Sequence, residues 1–254
     1  GLARAAKTAK INGVYRAMAL LDLDTAKAKK YTDTKSVKEE SGYTSPFCYP
    51  LWPCDRVGEY ILAKSAVAGA MIQYMASDNE DVPNQSPSNH LLGVGGQCLE
   101  DGTEVYLDQD QANTVNGYGV TTAINQNGYR LWGNYTGAYP ASSDAQDIWF
   151  AVRRMFRWQG NTFIQTYFDE VDDPMNNVLV QSVVDSENIR CSAYAPKYWA
   201  GASIEYKSDD NPKTAILAGT MKFRQHIAPY TPAQEIVDII DYDTDTLAAA
   251  VGGN

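Results

Sequence analysis

Asn127-Gly128-Tyr129-Arg130-Leu131-Trp132-Gly133-Asn134 constrains this chain more than any other stretch. Asn127-Gly128 is a turn signal, because Asn and Gly tolerate positive φ better than other residues. It launches a short apolar run that predicts a strand over Tyr129 to Trp132, closed by Gly133. Alone, the octapeptide is a strand between two turns, and its flanks decide what it belongs to.

Upstream, residues 1–10 alternate Ala with Arg4, Lys7 and Lys10 and suit the tail of a helix. Val14 to Leu23 is apolar at nearly every position, which predicts a strand covered on both faces and interior to its sheet. Phe47 to Trp52 is punctuated by Pro46, Pro50 and Pro53, which predicts an extended edge and not a central ladder. Asp55 is expected to cap a helix from Arg56 to Ser77. A loop follows to Asn89, then strands over Leu91–Val94 and Val120–Asn125 on either side of a short helix, Leu107–Asn116. Downstream, Ser143 and Gln146 form a capping-box pattern opening a helix with Ile148, Val152, Met155 and Gln159 along one face. Asp173-Pro174 predicts the start of a second helix ending near Trp199-Ala200-Gly201. Thr220–Ala228 and Glu235–Tyr242 are expected to pair as a terminal β-hairpin, trailed by a loose segment, Asp243 to Asn254. The fold class read from this order is α/β.

Bulk properties exclude several functions. A net charge of −10 repels phosphate backbones, so direct nucleic-acid binding is not expected, and the one tight basic cluster is Arg153, Arg154 and Arg157. No apolar run approaches the roughly 20 residues that span a bilayer, so no membrane insertion is expected. Cys48, Cys54, Cys98 and Cys191 lie far apart without a CxxC pair and read as buried, reduced thiols. The chain opens on Gly1-Leu2-Ala3-Arg4 with neither Met nor a secretory signal, which leads us to expect a beginning that has been left out.

The search for chemistry returns no catalytic, cofactor-binding or metal-ligating set. His90 and His226 are the only histidines, and both read as structural. Asp241, Asp243 and Asp245 resemble the opening of a calcium loop, but Thr246 stands where the turn needs Gly and Gly252 where a bidentate Glu is needed. Gly93-Val94-Gly95-Gly96 lacks the ending of a P-loop, and no Gly-x-Ser-x-Gly elbow is present.

The order of elements resembles the tail sheath proteins of contractile bacteriophage tails and of R-type bacteriocins. Tyr15 to Asp22 is similar to that family's strand ending in Leu-Asp. Ser86-Pro87-Ser88-Asn89 followed by Gly93-Val94 is similar to its Ser-Pro-Ser-Asn-Lys and Gly-Val segment, with His90 in place of Lys. Asn127 to Thr136 resembles its Asn-Gly-Tyr-Arg-Leu-Trp-Gly-Asn-Arg-Thr signature, with Tyr135 in place of Arg. Trp149 to Arg154 looks like its Phe-Val-x-x-Arg-Arg helix start, and Pro229 to Ile240 like its proline-turned hairpin.

The resemblance implies a non-enzymatic, subtilisin-like α/β domain over 1–127, N-terminally incomplete, and an α+β C-terminal sheath domain over 128–254 with an extended arm. It implies a structural subunit that polymerises helically around an inner tail tube and contracts to drive the tube through an envelope. The partners implied are copies of the chain, the tube protein, the baseplate and the tail terminator, in a virion assembled in the host cytoplasm. Candidate intersubunit or tube contacts are Arg153, Arg154, Arg157, Ile236, Ile239, Thr244, Thr246 and Leu247. The competing readings are a hydrolase on a subtilisin-like scaffold and a generic surface binding module.

Overall fold

The computed structural model describes residues 17–252; the expected helix over residues 1–10 and the first residues of the expected strand, Val14 to Arg16, lie outside them. The chain enters on β1 (Ala19–Asp22), passes through helix α1 (Thr34–Glu40) and returns on β2 (Cys48–Leu51), parallel to β1, with Ala19 opposite Cys48 and Asp22 opposite Leu51. The expected roles of these two strands are exchanged. All four residues of β2 are buried, and Leu51 bridges on its other side to Thr121, so β2 is the inner strand. Pro50 does not interrupt it. Its carbonyl accepts the Thr121 N–H at 2.8 Å. The N–H that proline lacks would face the same side, where the chain at Gly119, with φ of +70°, is still turning. β1 pairs only with β2 among the described residues; Ala17 is exposed and Ala19 half-buried, while Leu21 is buried.

β3 (Cys54–Val57) and β4 (Tyr60–Leu62) form a hairpin through Gly58, whose φ is +61°. Helix α2 (Lys64–Asp78) therefore begins eight residues later than expected from Arg56. Asp55 is not its cap: it lies within β3, fully buried, in an ion pair with the equally buried Lys64. The first turn of α2 is satisfied by Asp22 instead, whose carboxylate accepts the Ser65 N–H at 2.8 Å and also the Ser65 hydroxyl. β5 (Gly96–Cys98) completes an antiparallel sheet in the order β4-β3-β5.

Helix α3 (Gln109–Gly117) is opened by a reciprocal Asp108–Gln111 cap. β6 (Thr122–Asn125) and β7 (Tyr129–Trp132) then form an antiparallel hairpin with Thr122 opposite Trp132. The Leu51–Thr121 bridge joins this hairpin to the parallel pair, giving the order β1-β2-β6-β7. The expected strand at Leu91–Val94 is reduced to a single bridge, Leu91 to Arg130, because Gly93 turns the chain away at φ +68°. The expected domain break at Asn127 falls on the β6–β7 turn.

A short helix α4 (Ala145–Ile148) is capped by Asp144, one residue after the expected Ser143, and breaks at Trp149 before α5 (Phe150–Thr166). As its spacing predicts, α5 buries Val152, Met155 and Gln159. Helix α6 (Asn177–Ala193) is capped by Asn176, not Asp173, and ends before Pro196. Trp199-Ala200-Gly201, expected as its end, opens β8 (Trp199–Glu205). After α7 (Lys213–Leu217), β9 (Arg224–Pro229) pairs antiparallel with β8, from Trp199–Pro229 to Glu205–Arg224. The expected terminal hairpin is thus corrected: β9 takes β8 as partner, and Glu235–Tyr242 lies in no strand and is exposed. Ile236, Val237, Ile239 and Ile240 put apolar side chains on both faces, and a strand of that kind needs cover on both faces, which the described residues do not supply. The segment expected to be loose forms α8 (Thr244–Ala250), since Asp243 caps it by accepting the Thr246 N–H at 2.9 Å and its alanines favour helix.

Three apolar clusters hold these elements. One gathers Leu23, Trp52, Leu99, Val115 and Val120; another joins Tyr49 and Leu51 to Ile72, Leu131 and Phe150; the third packs Met155, Cys191, Tyr198 and Trp199. The buried Lys38 ammonium ties the first region to the octapeptide's flank by donating to the carbonyls of Tyr118 at 2.8 Å and Tyr139 at 2.5 Å. Burial pushes its pKa down to about 8 from 10.5. The unfolded chain therefore holds this proton more tightly than the folded one between those values, and stability from this group rises with pH across that window. We expect the unfolding free-energy gap between the native chain and Lys38→Met to be larger at pH 10 than at pH 7.5, as read by urea titration.

Candidate functional site

Stretches far apart in the sequence meet at one cavity of about 510 Å³. Ser86, Ser88 and His90 contribute one wall, Trp132 and Asn134 of the octapeptide another, and the turn after β9, Tyr230 to Gln234, a third; α3 adds Asn113 and Asn116. The first wall is laid along β7 by backbone hydrogen bonds: Asn89 N–H to the Leu131 carbonyl at 2.6 Å, Leu131 N–H to the His90 carbonyl at 2.9 Å and Leu92 N–H to the Tyr129 carbonyl at 2.9 Å. Arg130 fastens the same segment, donating to the carbonyls of Gln126 at 3.1 Å and Asn89 at 2.8 Å.

Gly133 explains itself by space and conformation. Its φ is +141°, a Cβ there would approach Thr121 Oγ1 to 2.6 Å, and its N–H donates to Ser88 Oγ at 3.1 Å. Gly133→Ala should destabilise the chain by about 2–3 kcal/mol in thermal unfolding. Trp132 is half-buried, with its Nε1–H donating to Asn113 Oδ1 at 2.8 Å. Leu131 carries the packing instead and is fully buried.

The 230–234 turn is fixed by three side-chain hydrogen bonds. Gln234 Nε2 donates to Asn134 Oδ1 at 2.8 Å, Tyr135 OH donates to Gln234 Oε1 at 2.6 Å, and Tyr230 OH donates to the Pro196 carbonyl at 3.0 Å. Tyr135 itself stacks on Tyr139 at 3.7 Å and on Trp149 at 4.8 Å between ring centroids. Its burial, with Tyr139 beside it, pushes the phenol up to about 12. Tyr135 stands here in the place of Arg, and its ring joins this aromatic stack.

Among the described residues, no Asp, Glu, Lys or Arg lines the cavity. Burial, and then Arg130, hold His90 below the usual imidazole range, so it is neutral at pH 7. The sequence marks the Ser86 and Asn127 stretches as motifs but not their convergence with α3 and the 230–234 turn. The available signal was the recurrence of asparagine at 84, 89, 113, 116 and 134.

The structure does not gather the expected contact residues at one place. Arg153 pairs with Asp147 at 3.2 Å and lies 4.4 Å from the Phe47 ring centroid, while Arg157 lies 3.9 Å from the same ring. Arg154 sits over Phe150, and burial pushes its guanidinium down to about 10. It pairs with no carboxylate among the described residues. Ile236 and Ile239 are 91% and 79% exposed, and Thr244, Thr246 and Leu247 lie on the exposed α8. Among the described residues, no group of three or more His, Cys, Asp or Glu could hold a metal ion, and no helix is long and apolar enough to cross a membrane.

No protein-family profile matches the chain. It is similar to the major tail sheath protein of Serratia phage KSP20, with 28% identity over 197 residues, covering 74% of this chain and 48% of that protein. It is similar to the tail sheath protein of Escherichia phage P2, with 23% identity over 215 residues, covering 80% of this chain and 52% of that protein. The chain thus spans about half the length of these curated relatives. Its fold matches a chain of an extracellular contractile injection system, the PVC sheath complex in the contracted state, at a TM-score of 0.77 and 16% identity, over 96% of this chain and 69% of that one. It also matches a chain of the anti-feeding prophage baseplate at a TM-score of 0.73 and 18% identity, over 95% of this chain and 64% of that one.

Proposed function

We propose that this chain, a relative of the phage tail sheath proteins, is part of a structural sheath subunit that polymerises helically around an inner tube and contracts to drive it through an envelope. The observation that carries the reading is the similarity over about four fifths of the chain to a phage tail sheath protein. The exposed apolar segment Ile236–Tyr242 adds to it, since a chain that leaves five large apolar side chains uncovered is built to meet another surface. In this account neighbouring copies cover that segment by strand addition, and contacts of this heterologous kind propagate as a helix.

The finer features belong to the same proposal: a subtilisin-like arrangement over 1–127, a C-terminal sheath portion over 128–254, and contacts through Arg153, Arg154, Arg157, Ile236, Ile239, Thr244, Thr246 and Leu247. So do the inner tube, baseplate and terminator as partners, and assembly in the host cytoplasm into a virion. The role is mechanical. The hydrolase reading has little geometry behind it among the described residues, where Ser65 hydrogen-bonds Asp22 directly with no histidine between them. Ultracentrifugation of the complete protein expressed with its tube tests the proposal. A sedimenting polymer is expected, whereas protein that stays in the supernatant as monomer, or that is labelled by a serine-reactive fluorophosphonate, would overturn it.

A further inference from the structure

We infer that the cavity at the meeting point of the Ser86, Trp132 and Tyr230 walls is a binding site for a neutral saccharide. Its volume of about 510 Å³ lies within the range of small-ligand sites. Its chemistry is selective: about a fifth of the chain's residues are charged, yet among the described residues the lining holds no Asp, Glu, Lys or Arg. A charged ligand would find no counter-ion there, and a purely apolar one would strand the amides and hydroxyls of the walls.

What the walls offer is a mixture of uncharged donors and acceptors. Asn116 lines the cavity with its Oδ1 buried in the wall, which leaves its amide N–H groups as the donors that can reach a ligand. Ser88 Oγ already accepts from Gly133 N–H, which leaves its own proton to donate inward. Asn113 uses its oxygen on Trp132 and Asn134 uses its oxygen on Gln234, so both keep amide hydrogens for a ligand. Trp132 and Tyr230 add aromatic rings to the lining, and ring faces pack against the C–H faces of a pyranose while the amides take its hydroxyls. The acidic, aliphatic segment Glu235–Asp243 of another copy matches this lining poorly, since its carboxylates would face uncharged amides and its isoleucines would cover polar groups.

The inference stands on the cavity and not on the sheath reading. The test is an array of neutral and sialylated oligosaccharides probed with the purified chain, followed by NMR titration of maltose, chitobiose and N-acetyllactosamine. We expect at least one neutral saccharide to bind with millimolar or tighter affinity and to shift the amide signals around Gly133 and Asn116. Asn116→Leu, close in shape, and Tyr230→Ala, at an exposed ring, should each weaken that binding about tenfold while the circular dichroism spectrum stays native. Absence of binding by every neutral sugar, unchanged affinity in both folded variants, or a preference for sialylated sugars overturns the assignment. So does a synthetic peptide of residues 235–252 that shifts the same signals where sugars do not, because the cavity would then be a peptide seat.

Discussion

Lys64→Met will destabilise the chain by about 3–5 kcal/mol, which for a chain of this size lowers the thermal midpoint by roughly 10 °C or more. Lys64 and Asp55 both have fully buried side chains and form an ion pair that ties β3 to the first residue of α2. A lysine at a helix N-terminus is opposed by the helix dipole, so this cation depends on Asp55 for its compensation. The dependence is mutual. Burial pushes the Asp55 carboxyl above its usual range, and its second oxygen, Oδ2, has no donor among the described residues. Removing the ammonium leaves that carboxyl in an apolar setting with neither charge nor hydrogen bond to offset its desolvation. Asp55→Leu should be comparably damaging for the mirror reason. The double variant Asp55→Leu/Lys64→Met removes both costs and should recover most of the loss. If Lys64→Met unfolds at the native midpoint, the pair is hydrated and the packing described for β3 and α2 is wrong.

Ile236→Asp/Ile240→Asp has the opposite pattern: we expect no measurable change in the stability of the isolated chain and complete loss of assembly. Ile236 and Ile240 are 91% and 86% exposed, so the chain's own core gains nothing from them, and exposed substitutions ordinarily stay within about 0.5 kcal/mol. Each would contribute about 1.5–3 kcal/mol if a neighbour buried it, and two new carboxylates in such a contact would also lack partners. Removal of residues 244–254 should behave similarly, since α8 is exposed along its described length. Thermal unfolding paired with sedimentation separates the two effects. A drop in the monomer's midpoint would place the segment in the chain's own fold, and full-length polymers from the double variant would remove it from the interface.

What the sequence made legible was local. β7 was found at its observed bounds because Asn127-Gly128 and Gly133 mark both ends with backbone conformations that few residues adopt. The α5 face was legible because its period is helical. Non-local chemistry was hidden. Asp22 satisfies the start of α2 from 43 positions away, whereas the sequence places Asp55 directly before the expected start at Arg56. Pro50 was read as an edge marker, yet its missing N–H falls opposite a turn and costs β2 nothing. The partner of β9 is expected downstream because Glu235–Tyr242 is patterned for burial; among the described residues no surface fulfils that pattern. For the cavity, the sequence showed two of the contributing stretches as motifs and could not show that α3 and the 230–234 turn close around them.

The central claim, a mechanical subunit of a contractile sheath, is tested most directly by cryo-electron microscopy of assemblies purified with the complete protein. The account predicts a helical lattice of this chain around a tube, with density for Ile236 to Tyr242 of one copy laid against a neighbouring copy. Discrete closed particles, or a lattice in which that segment contacts only its own chain, would contradict it.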